Sequence, residues 1–337
     1  MRLLVAGGAG FIGSEFVRMT ITTHPDTDVT VVDKLTYAGN PRNLAPVEQS
    51  ARYRFVRGDV CDAALMTALA READVIVNFA AETHVDRSLF SAGEFINTDV
   101  FGTFVLLEAA RAAGHERFVQ VSTDEVYGEV LEGLSSEGDR LRPRSPYSAS
   151  KAGAEMLISA YRASYGVGAI VTRGSNTYGQ YQFPEKIVPL FITNAIDDMR
   201  LPIYGHGAAV RDYLHVSDHA RGIDVALRRG TPGEDYNIGC RNSVSGVAVA
   251  DFILAALRKP RELKSFVRDR PGHDYRYAMD TTKLQRLCWA PRVDFATGIE
   301  QTVRWYRDHE DWWRPLKSGD FWDFYARTYR VEAAAAR

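Results

Sequence analysis

The segment RLLVAGGAGFIG at residues 2–13 places a short apolar run directly before a glycine-rich turn. The run at residues 2–6 predicts a buried β-strand, and a helical stretch follows the turn. Gly7, Gly10 and Gly13 allow a tight turn, a close approach of the backbone to a pyrophosphate, and packing of the helix on the strand. The N-terminus of that helix also favours negative charge. A turn that binds nothing is the alternative, and the strand-turn-helix setting argues against it.

Further apolar runs of strand length alternate with helical stretches. These runs lie at residues 29–32, 53–56, 75–79, 118–121 and 169–173. The alternation predicts parallel β-α units, and therefore an α/β fold with a Rossmann-type doubly wound parallel sheet. The pattern then loosens, which indicates a smaller C-terminal substrate-binding lobe. The predicted NAD-binding domain covers residues 1–180 with residues 213–240 returning to it, the lobe covers residues 181–212 and 241–330, and a tail covers residues 331–337.

The acid that follows the second strand indicates which dinucleotide binds. Asp33 lies about 20 residues beyond the last glycine, where a carboxylate binds a ribose hydroxyl and repels the extra phosphate of NADP. NAD is therefore the expected cofactor, although Lys34 follows directly. Asp59, after the third strand, either contacts adenine or caps the next helix. The residues expected to contact NAD are Gly7, Gly10, Phe11, Ile12, Gly13, Asp33, Lys34, Leu35, Thr36, Asp59, Val60, Phe79, Ala80, Ala81, Thr98, Tyr147 and Lys151.

A helix that carries Tyr147 and Lys151 is predicted from its end signals. Ser145 suits the N-cap, Pro146 suits the first helical position, and Gly166 suits the end. Tyr147 and Lys151 are four residues apart and share one face of this helix. The ammonium group favours the phenolate and lowers the pKa of the tyrosine, so the pair can act as a general base. For an isolated pair, a shared solvated face would be the better interpretation.

A polar sequence ends the apolar run at residues 118–121 and precedes this helix. Thr123, Asp124 and Glu125 lie at the carboxyl end of the predicted strand, where open α/β sheets bind ligands. Two neighbouring carboxyl groups can divide the roles of acid and base when their protonation states differ. A polar strand end that faces water is the alternative, and the nearby Tyr147 argues against it.

Composition excludes several classes of protein. The 337 residues carry a formal net charge of −2, which provides no basic surface for nucleic acid. No apolar run approaches the ~20 residues that cross a bilayer, and the N-terminus does not resemble a signal peptide, so a cytoplasmic protein is expected. The three cysteines show no zinc or disulfide spacing. His215 and His219 are four residues apart, but packing or a substrate-loop role is favoured for them. No metal site is expected.

The chain resembles the extended short-chain dehydrogenase/reductase superfamily, and within it the dTDP-glucose 4,6-dehydratases. The glycine turn and the Tyr147/Lys151 pair are general features of the superfamily. More specific segments are residues 33–40 (DKLTYAGN), 81–88 (AETHVDRS), 123–128 (TDEVYG), 181–186 (YQFPEK) and 270–274 (RPGHD). The resemblance covers nearly the whole chain. The acidic pair in TDEVYG separates the dehydratases from the epimerases of the superfamily.

The resemblance implies a mechanism on dTDP-glucose that supplies deoxysugar biosynthesis. Tyr147 would take the proton of the sugar 4-hydroxyl during oxidation at C4, with Thr123 and Lys151 assisting. Glu125 would then remove the C5 proton, and a protonated Asp124 would donate to the departing 6-hydroxyl before hydride returns to C6. The alternatives are another sugar-nucleotide dehydratase, a 4-epimerase of the same fold, or a non-catalytic NAD-binding protein.

The expected substrate contacts come from the same resemblance and from charge. Lys186, Arg211 and Arg270 are candidates for a diphosphate, since guanidinium groups match phosphate oxygens. The full predicted set is Thr83, Thr123, Asn176, Lys186, Arg211, Asn242, Arg270 and His273.

The resemblance also implies a homodimer, and a few positions depart from the family pattern. An apolar face of Ala149, Ala152, Met156 and Ala160 would support the dimer, unless that face packs inside the monomer. Asp99, Thr177 and Gln180 differ from the residues usual in the family. These departures put affinity and sugar or base preference in doubt more than the type of reaction.

Overall fold

The computed structural model describes residues 1–269 and 272–329. The strands are β1 (Arg2–Ala6), β2 (Asp28–Asp33), β3 (Tyr53–Arg57), β4 (Val75–Asn78), β5 (Arg117–Thr123), β6 (Ala169–Gly174), β7 (Asn176–Tyr178), β8 (Leu201–Tyr204), β9 (Val210–His215), β10 (Asp235–Ile238), β11 (Ser243–Ser245) and β12 (Lys264–Val267). The α-helices are α1 (Phe11–Thr23), α2 (Ala63–Arg71), α3 (Val85–Ser88), α4 (Ala92–Phe95), α5 (Gly102–Ala113), α6 (Pro146–Tyr165), α7 (Ile187–Ile196), α8 (Val216–Arg229), α9 (Gly246–Leu257), α10 (Thr282–Gln285), α11 (Phe295–Asp308), α12 (Glu310–Trp313) and α13 (Gly319–Tyr329).

One sheet organises the molecule. Seven strands follow the order β10-β6-β5-β4-β1-β2-β3, and each neighbouring pair is parallel. The chain runs outward from β1 to β3 and then crosses to β4 on the other side of β1. Open α/β sheets bind ligands at this kind of switch point, beyond the carboxyl ends of the strands. The predicted Rossmann-type doubly wound sheet is confirmed.

Helices cover both faces of the sheet, which explains why its strands are continuously apolar. Leu3 of β1 packs in one cluster with Phe16 of α1 and Ile223 of α8. Leu4, the next residue of β1, packs on the opposite face in a cluster with Leu106 of α5. The side chains of a strand alternate between faces, so one short run supplies both cores.

The helix with the Tyr/Lys pair ends where the sequence predicts. The Ser145 side chain accepts a hydrogen bond from the Ser148 backbone N–H at 3.0 Å, and Pro146 occupies the first turn. At the other end Gly166 takes φ +67°, a left-handed conformation that glycine adopts without steric strain. Local signals at Ser145 and Gly166 therefore set both ends of α6.

A third apolar cluster lies apart from the two that cover the sheet. It contains Phe191 of α7, Ile253 of α9, Tyr306 of α11, Trp313 of α12 and Tyr325 of α13. Two small sheets, β11-β9-β7 and β12-β8, accompany the large one. Strand β10 joins the large sheet beside β6. The predicted division into an NAD-binding domain and a lobe, with its boundaries, stays a prediction.

Two of the sequence predictions lie outside the described residues: the substrate contact Arg270 and the tail at residues 331–337. Among the helices of residues 1–269 and 272–329, none has the length and apolar character needed to cross a membrane.

Candidate active site

The glycine turn after β1 forms a cradle that admits no side chains. Gly7 takes φ +73°, and a Cβ atom there would lie 2.5 Å from the backbone nitrogen of Ala80, which follows β4. A Cβ on Gly13 would lie 2.5 Å from the carbonyl oxygen of Gly7. The backbones after β1 and β4 therefore touch, and the turn lies at the switch point of the sheet, directly before the start of α1.

Asp33 at the end of β2 is fixed by the backbone. Its carboxylate accepts hydrogen bonds from the N–H of Ala9 at 2.9 Å and of Leu35 at 2.8 Å. Burial raises the pKa of Asp33, and these two hydrogen bonds oppose that rise. The side chain is thus held at the edge of the glycine turn.

Asp59 does not cap the helix that follows it. The N-cap of α2 is Asp62, whose side chain accepts from the Leu65 N–H at 3.0 Å. Asp59 instead forms an ion pair with Lys34 at 2.7 Å. The capping alternative for Asp59 is therefore wrong, and the adenine contact stays a prediction. The pairing also gives Lys34 a partner within the protein.

The carboxyl end of β5 turns sharply at Thr123. The Thr123 hydroxyl accepts a hydrogen bond from the Glu125 N–H at 3.3 Å, and a short 3₁₀ helix follows at Asp124–Tyr127. Asp124 is 3% exposed, and burial, with the charges of Glu125 and Asp212, raises its pKa well above the usual range. Asp124 is thus favoured in the protonated form.

Tyr147 and Lys151 both lie on α6 beside the end of β5. The Lys151 ammonium group donates to the carbonyl oxygen of Val121 at 2.9 Å. Burial raises the pKa of Tyr147 well above its usual value, and the carboxylates of Glu125 and Asp99 add to the rise. The expected lowering of the Tyr147 pKa is therefore wrong for this state of the protein, because burial and two nearby acids dominate.

A cavity runs from the glycine turn to the Tyr147/Lys151 pair. The predicted residues that line it are Gly7, Gly10, Phe11, Ile12, Gly13, Asp33, Lys34, Thr36, Asp59, Val60, Phe79, Ala80, Ala81, Thr83, Thr98, Thr123, Asp124, Glu125, Tyr147, Lys151, Asn176 and Lys186. Leu35 is outside this lining and contributes its backbone N–H to Asp33. The structure thus brings nearly all predicted cofactor residues to one cavity.

A second cavity adjoins the first and shares Glu125, Asn176, Glu185 and Lys186 with it. Arg211 and His273 line only this second cavity. The buried Arg211 side chain is anchored by backbone carbonyls, including that of Asp274 at 2.8 Å.

Asn242 is outside the lining of both cavities. Its backbone N–H donates to Asp212 at 2.7 Å, next to β11. Its predicted role in substrate binding has no support from this placement.

Comparison with known proteins agrees with this site. The model of the family described as GDP-mannose 4,6 dehydratase matches residues 4–302. A dTDP-glucose 4,6-dehydratase of Streptomyces niveus is 50% identical over 325 residues, which cover 95% of this chain and 97% of the relative. The chain belongs to the dTDP-glucose 4,6-dehydratase family. The predicted resemblance and the predicted enzyme class, a sugar-nucleotide dehydratase, are confirmed.

Solved structures show the same relationship. A dTDP-glucose 4,6-dehydratase from Streptomyces venezuelae, solved with NAD and dTDP, has a TM-score of 0.92 and 49% identity, with 94% of this chain and 100% of that chain covered. A UDP-glucose 4-epimerase from Thermus thermophilus, solved with NAD, has a TM-score of 0.85 and 32% identity, with 92% and 100% covered. The fold is common to relatives of both activities, so the fold alone does not distinguish them.

Sequence reasoning missed several residues that line the first cavity of this family member. Glu82, Gln182, Glu185 and His219 all contribute to its wall. Glu82, Gln182 and Glu185 lie inside segments that the sequence already marks as family-specific, so their position was the available signal. His219 comes from α8, distant in sequence, and its spacing from His215 was the available signal. Among residues 1–269 and 272–329, no cluster of His, Cys, Asp and Glu side chains could hold a metal ion.

Proposed function

We propose that this chain uses NAD to convert dTDP-glucose to dTDP-4-keto-6-deoxyglucose, a precursor for deoxysugar biosynthesis. One observation carries the proposal. Glu125, beside Asp124, lines both cavities, and Tyr147 lines the first cavity near enough to be affected by the charge of Glu125. A base, an acid and a tyrosine at the junction of a dinucleotide cavity and a second cavity fit oxidation followed by water elimination. The Streptomyces venezuelae relative with NAD and dTDP supports this assignment.

The first cavity fits NAD. The glycine cradle and the start of α1 would hold the pyrophosphate, because the backbone N–H groups and the dipole at a helix N-terminus favour phosphate. Asp33 would bind the adenosine ribose, and Lys151 would bind the nicotinamide ribose. When bound, NAD supplies a reversible acceptor for the hydride of the sugar.

The oxidation at C4 would rest on Tyr147. Its phenolic oxygen would take the proton of the 4-hydroxyl, and Thr123 would donate a hydrogen bond to the same sugar oxygen. Lys151, one turn along α6, would favour the phenolate through its positive charge. This compensation is needed because burial and the nearby carboxylates raise the pKa of Tyr147.

The elimination would rest on the acidic pair. A ketone at C4 acidifies the C5 hydrogen, so Glu125 can remove it as a base. Asp124 would protonate the departing 6-hydroxyl, a role that its raised pKa supports. The two neighbouring carboxyl groups would thus act as the base and the acid of the elimination.

The second cavity would hold the nucleotide diphosphate. Arg211 and Lys186 would contact phosphate oxygens, since both are cationic and Arg211 is already held in place by backbone carbonyls. Thr83, Asn176 and His273 would contact the remaining substrate groups. Arg270 keeps its proposed phosphate contact from the sequence alone.

Replacing Gly7 with alanine is expected to abolish NAD binding and lower stability. The new Cβ would overlap the backbone of Ala80, and φ +73° strains residues that carry a Cβ. Gly138→Ala is the matched control, because a Cβ there meets no atom within 4 Å. The measurement is NAD content after purification together with the thermal midpoint. Equal NAD content in both variants would contradict the proposed role of the glycine turn in NAD binding.

The proposed substrate is tested by incubating purified protein with dTDP-glucose, UDP-glucose and GDP-mannose in turn, followed by mass spectrometry of each product. We expect loss of one water from dTDP-glucose, at a higher rate than from the other two. A product of unchanged mass that is an isomer of its substrate would favour a 4-epimerase. Absence of any product, with no reduction of bound NAD, would favour a non-catalytic NAD-binding protein.

We also propose a homodimer formed through α5 and α6. Of the predicted apolar face, Ala149, Met156 and Ala160 are exposed in the monomer, while Ala152 is buried. Phe101, directly before α5, is exposed as well. Light scattering of Met156→Glu against the native protein tests this interface. We expect the variant to shift toward the monomer mass, and an unchanged mass would argue against the interface.

A further inference from the structure

Asp99 is a buried carboxyl group that the proposed reaction does not use. It lies in a π-helical turn at Ile96–Phe101, between α4 and α5, and is 1% exposed. Such turns are rare in proteins and are frequent at functional sites. A charged side chain is rarely buried to this extent unless it has partners.

The partners of Asp99 join the cavity wall to the catalytic helix. One carboxylate oxygen accepts the backbone N–H of Glu82 at 3.0 Å. The other accepts the hydroxyl of Ser150 at 2.6 Å. Glu82 follows β4 and lines the first cavity, and Ser150 directly precedes Lys151 on α6. One side chain therefore connects the segment beside the proposed cofactor to the residue next to Lys151.

Asp99 lies near titratable groups of both charge types. From α6 it faces Lys151 and Tyr147, and from the segment after β4 it faces Glu82. Burial lowers the pKa of Lys151, while Asp99 and Glu155 oppose that change. Burial raises the pKa of Asp99 itself to about 6. Asp99 thus carries its charge near neutral pH, where it favours the ammonium form of Lys151.

We propose that Asp99 is a positioning residue that keeps Lys151 charged inside the protein and fixes α6 against the wall of the cofactor cavity. The inference rests on the proposed roles of Tyr147 and Lys151. A carboxylate also opposes formation of the Tyr147 phenolate, so Asp99 sets the pH range in which the tyrosine is a base and the lysine is an ammonium ion.

Asp99→Asn separates charge from shape. The amide oxygen can still accept from the Glu82 N–H, and the amide nitrogen can donate to Ser150. The Ser150 hydroxyl can then donate to the Tyr147 carbonyl oxygen, which lies 2.8 Å away. Asp99→Leu removes both connections. Glu94→Gln is the matched control, because it makes the same charge change at an exposed position on the adjacent α4.

The first test is the pH dependence of kcat. Removing a negative charge lowers the pKa of both neighbours, so Asp99→Asn should move both limbs of the profile to lower pH by about one unit. The native and Asn profiles should converge below pH about 6, where Asp99 is itself protonated. Glu94→Gln should leave both limbs in place, and Asp99→Leu should lose activity. A lower rate for Asp99→Asn with both limbs unmoved would overturn the charge role.

The second test does not need turnover. Protein labelled with ¹³C at the lysine ε-carbon is titrated by NMR, and the Lys151 signal is assigned with Lys151→Arg. Asp99→Asn should lower the pKa of Lys151 by about one unit relative to the native protein and to Glu94→Gln. An unchanged Lys151 pKa would overturn the proposal. This result stands even if no nucleotide sugar is converted, so failure of the inference is distinguishable from failure of the proposed function.

Discussion

Glu125→Gln is expected to lower the rate of product formation by ~10²–10⁴-fold, the range typical for loss of a general base. Glutamine has the size of glutamate but cannot remove the C5 proton. Oxidation at C4 does not need this group, so reduced NAD should accumulate after dTDP-glucose is added. The measurement is rapid-mixing absorbance of the reduced nicotinamide, followed in parallel with product formation.

Glu132→Gln is the control for Glu125→Gln, because it makes the same change on an exposed side chain downstream of the acidic pair. It should keep the native rate and show no lasting reduced nicotinamide. If Glu125→Gln formed product at the native rate, Glu125 would not be the base. If Glu125→Gln formed neither product nor reduced nicotinamide, Glu125 would be needed earlier in the reaction than proposed.

Tyr147→Phe is expected to lower the oxidation step itself by ~10²–10⁴-fold. The phenylalanine ring keeps the packing of Tyr147 against Phe95, where the ring centres are 6.2 Å apart, but it lacks the oxygen that takes the 4-hydroxyl proton. Neither reduced nicotinamide nor product should form at an appreciable rate. Bound NAD should be retained, because the glycine cradle and Asp33 are unchanged. Single-turnover absorbance measures the oxidation step, and the NAD content of the purified variant measures cofactor retention.

Tyr165→Phe tests whether the effect is specific to the site. Tyr165 lies at the end of the same helix and is 58% exposed. It should retain native activity. The role assigned to Tyr147 would be refuted by a Tyr147→Phe variant that still reduces NAD at the native rate.

The doubly wound parallel sheet was accessible from sequence because most of its strands are short apolar runs with clear boundaries. The glycine turn, the apolar alternation and the caps of α6 are local signals, and each acts within a few residues. Gly166, for example, ends α6 through its own backbone conformation. The arrangement of the smaller sheets was not accessible, because β9 pairs with β7 and β11 across long connections.

The predicted site residues gather because most of them follow parallel strands, whose carboxyl ends share one edge of the sheet. Some of the residues that were missed enter from other directions. His219 comes from α8, and its ring packs where a Cβ on Gly174 would otherwise lie. Asn242 is the opposite case, since it is a polar residue on a loop whose predicted substrate role gains no support from its position beside Asp212.

The direction in which the pKa of Tyr147 is shifted could not be predicted from spacing alone. The sequence places Lys151 one turn away, but it does not show how deeply the tyrosine is buried. It also does not show that Glu125 and Asp99 converge on the same phenol. Burial and two acids distant in sequence outweigh the favourable charge of Lys151 on the same helix. The net pKa shift of Tyr147 therefore depends on tertiary structure.

The most direct test of the account is product analysis after incubation with dTDP-glucose in deuterated water. Glu125 exchanges the C5 proton with solvent in the proposed mechanism, and the hydride that leaves C4 returns to C6. We therefore expect a product that has lost one water and carries deuterium at C5, as read by mass spectrometry and NMR. A sugar isomer of unchanged carbon and oxygen content, without deuterium at C5, would contradict elimination by the acidic pair.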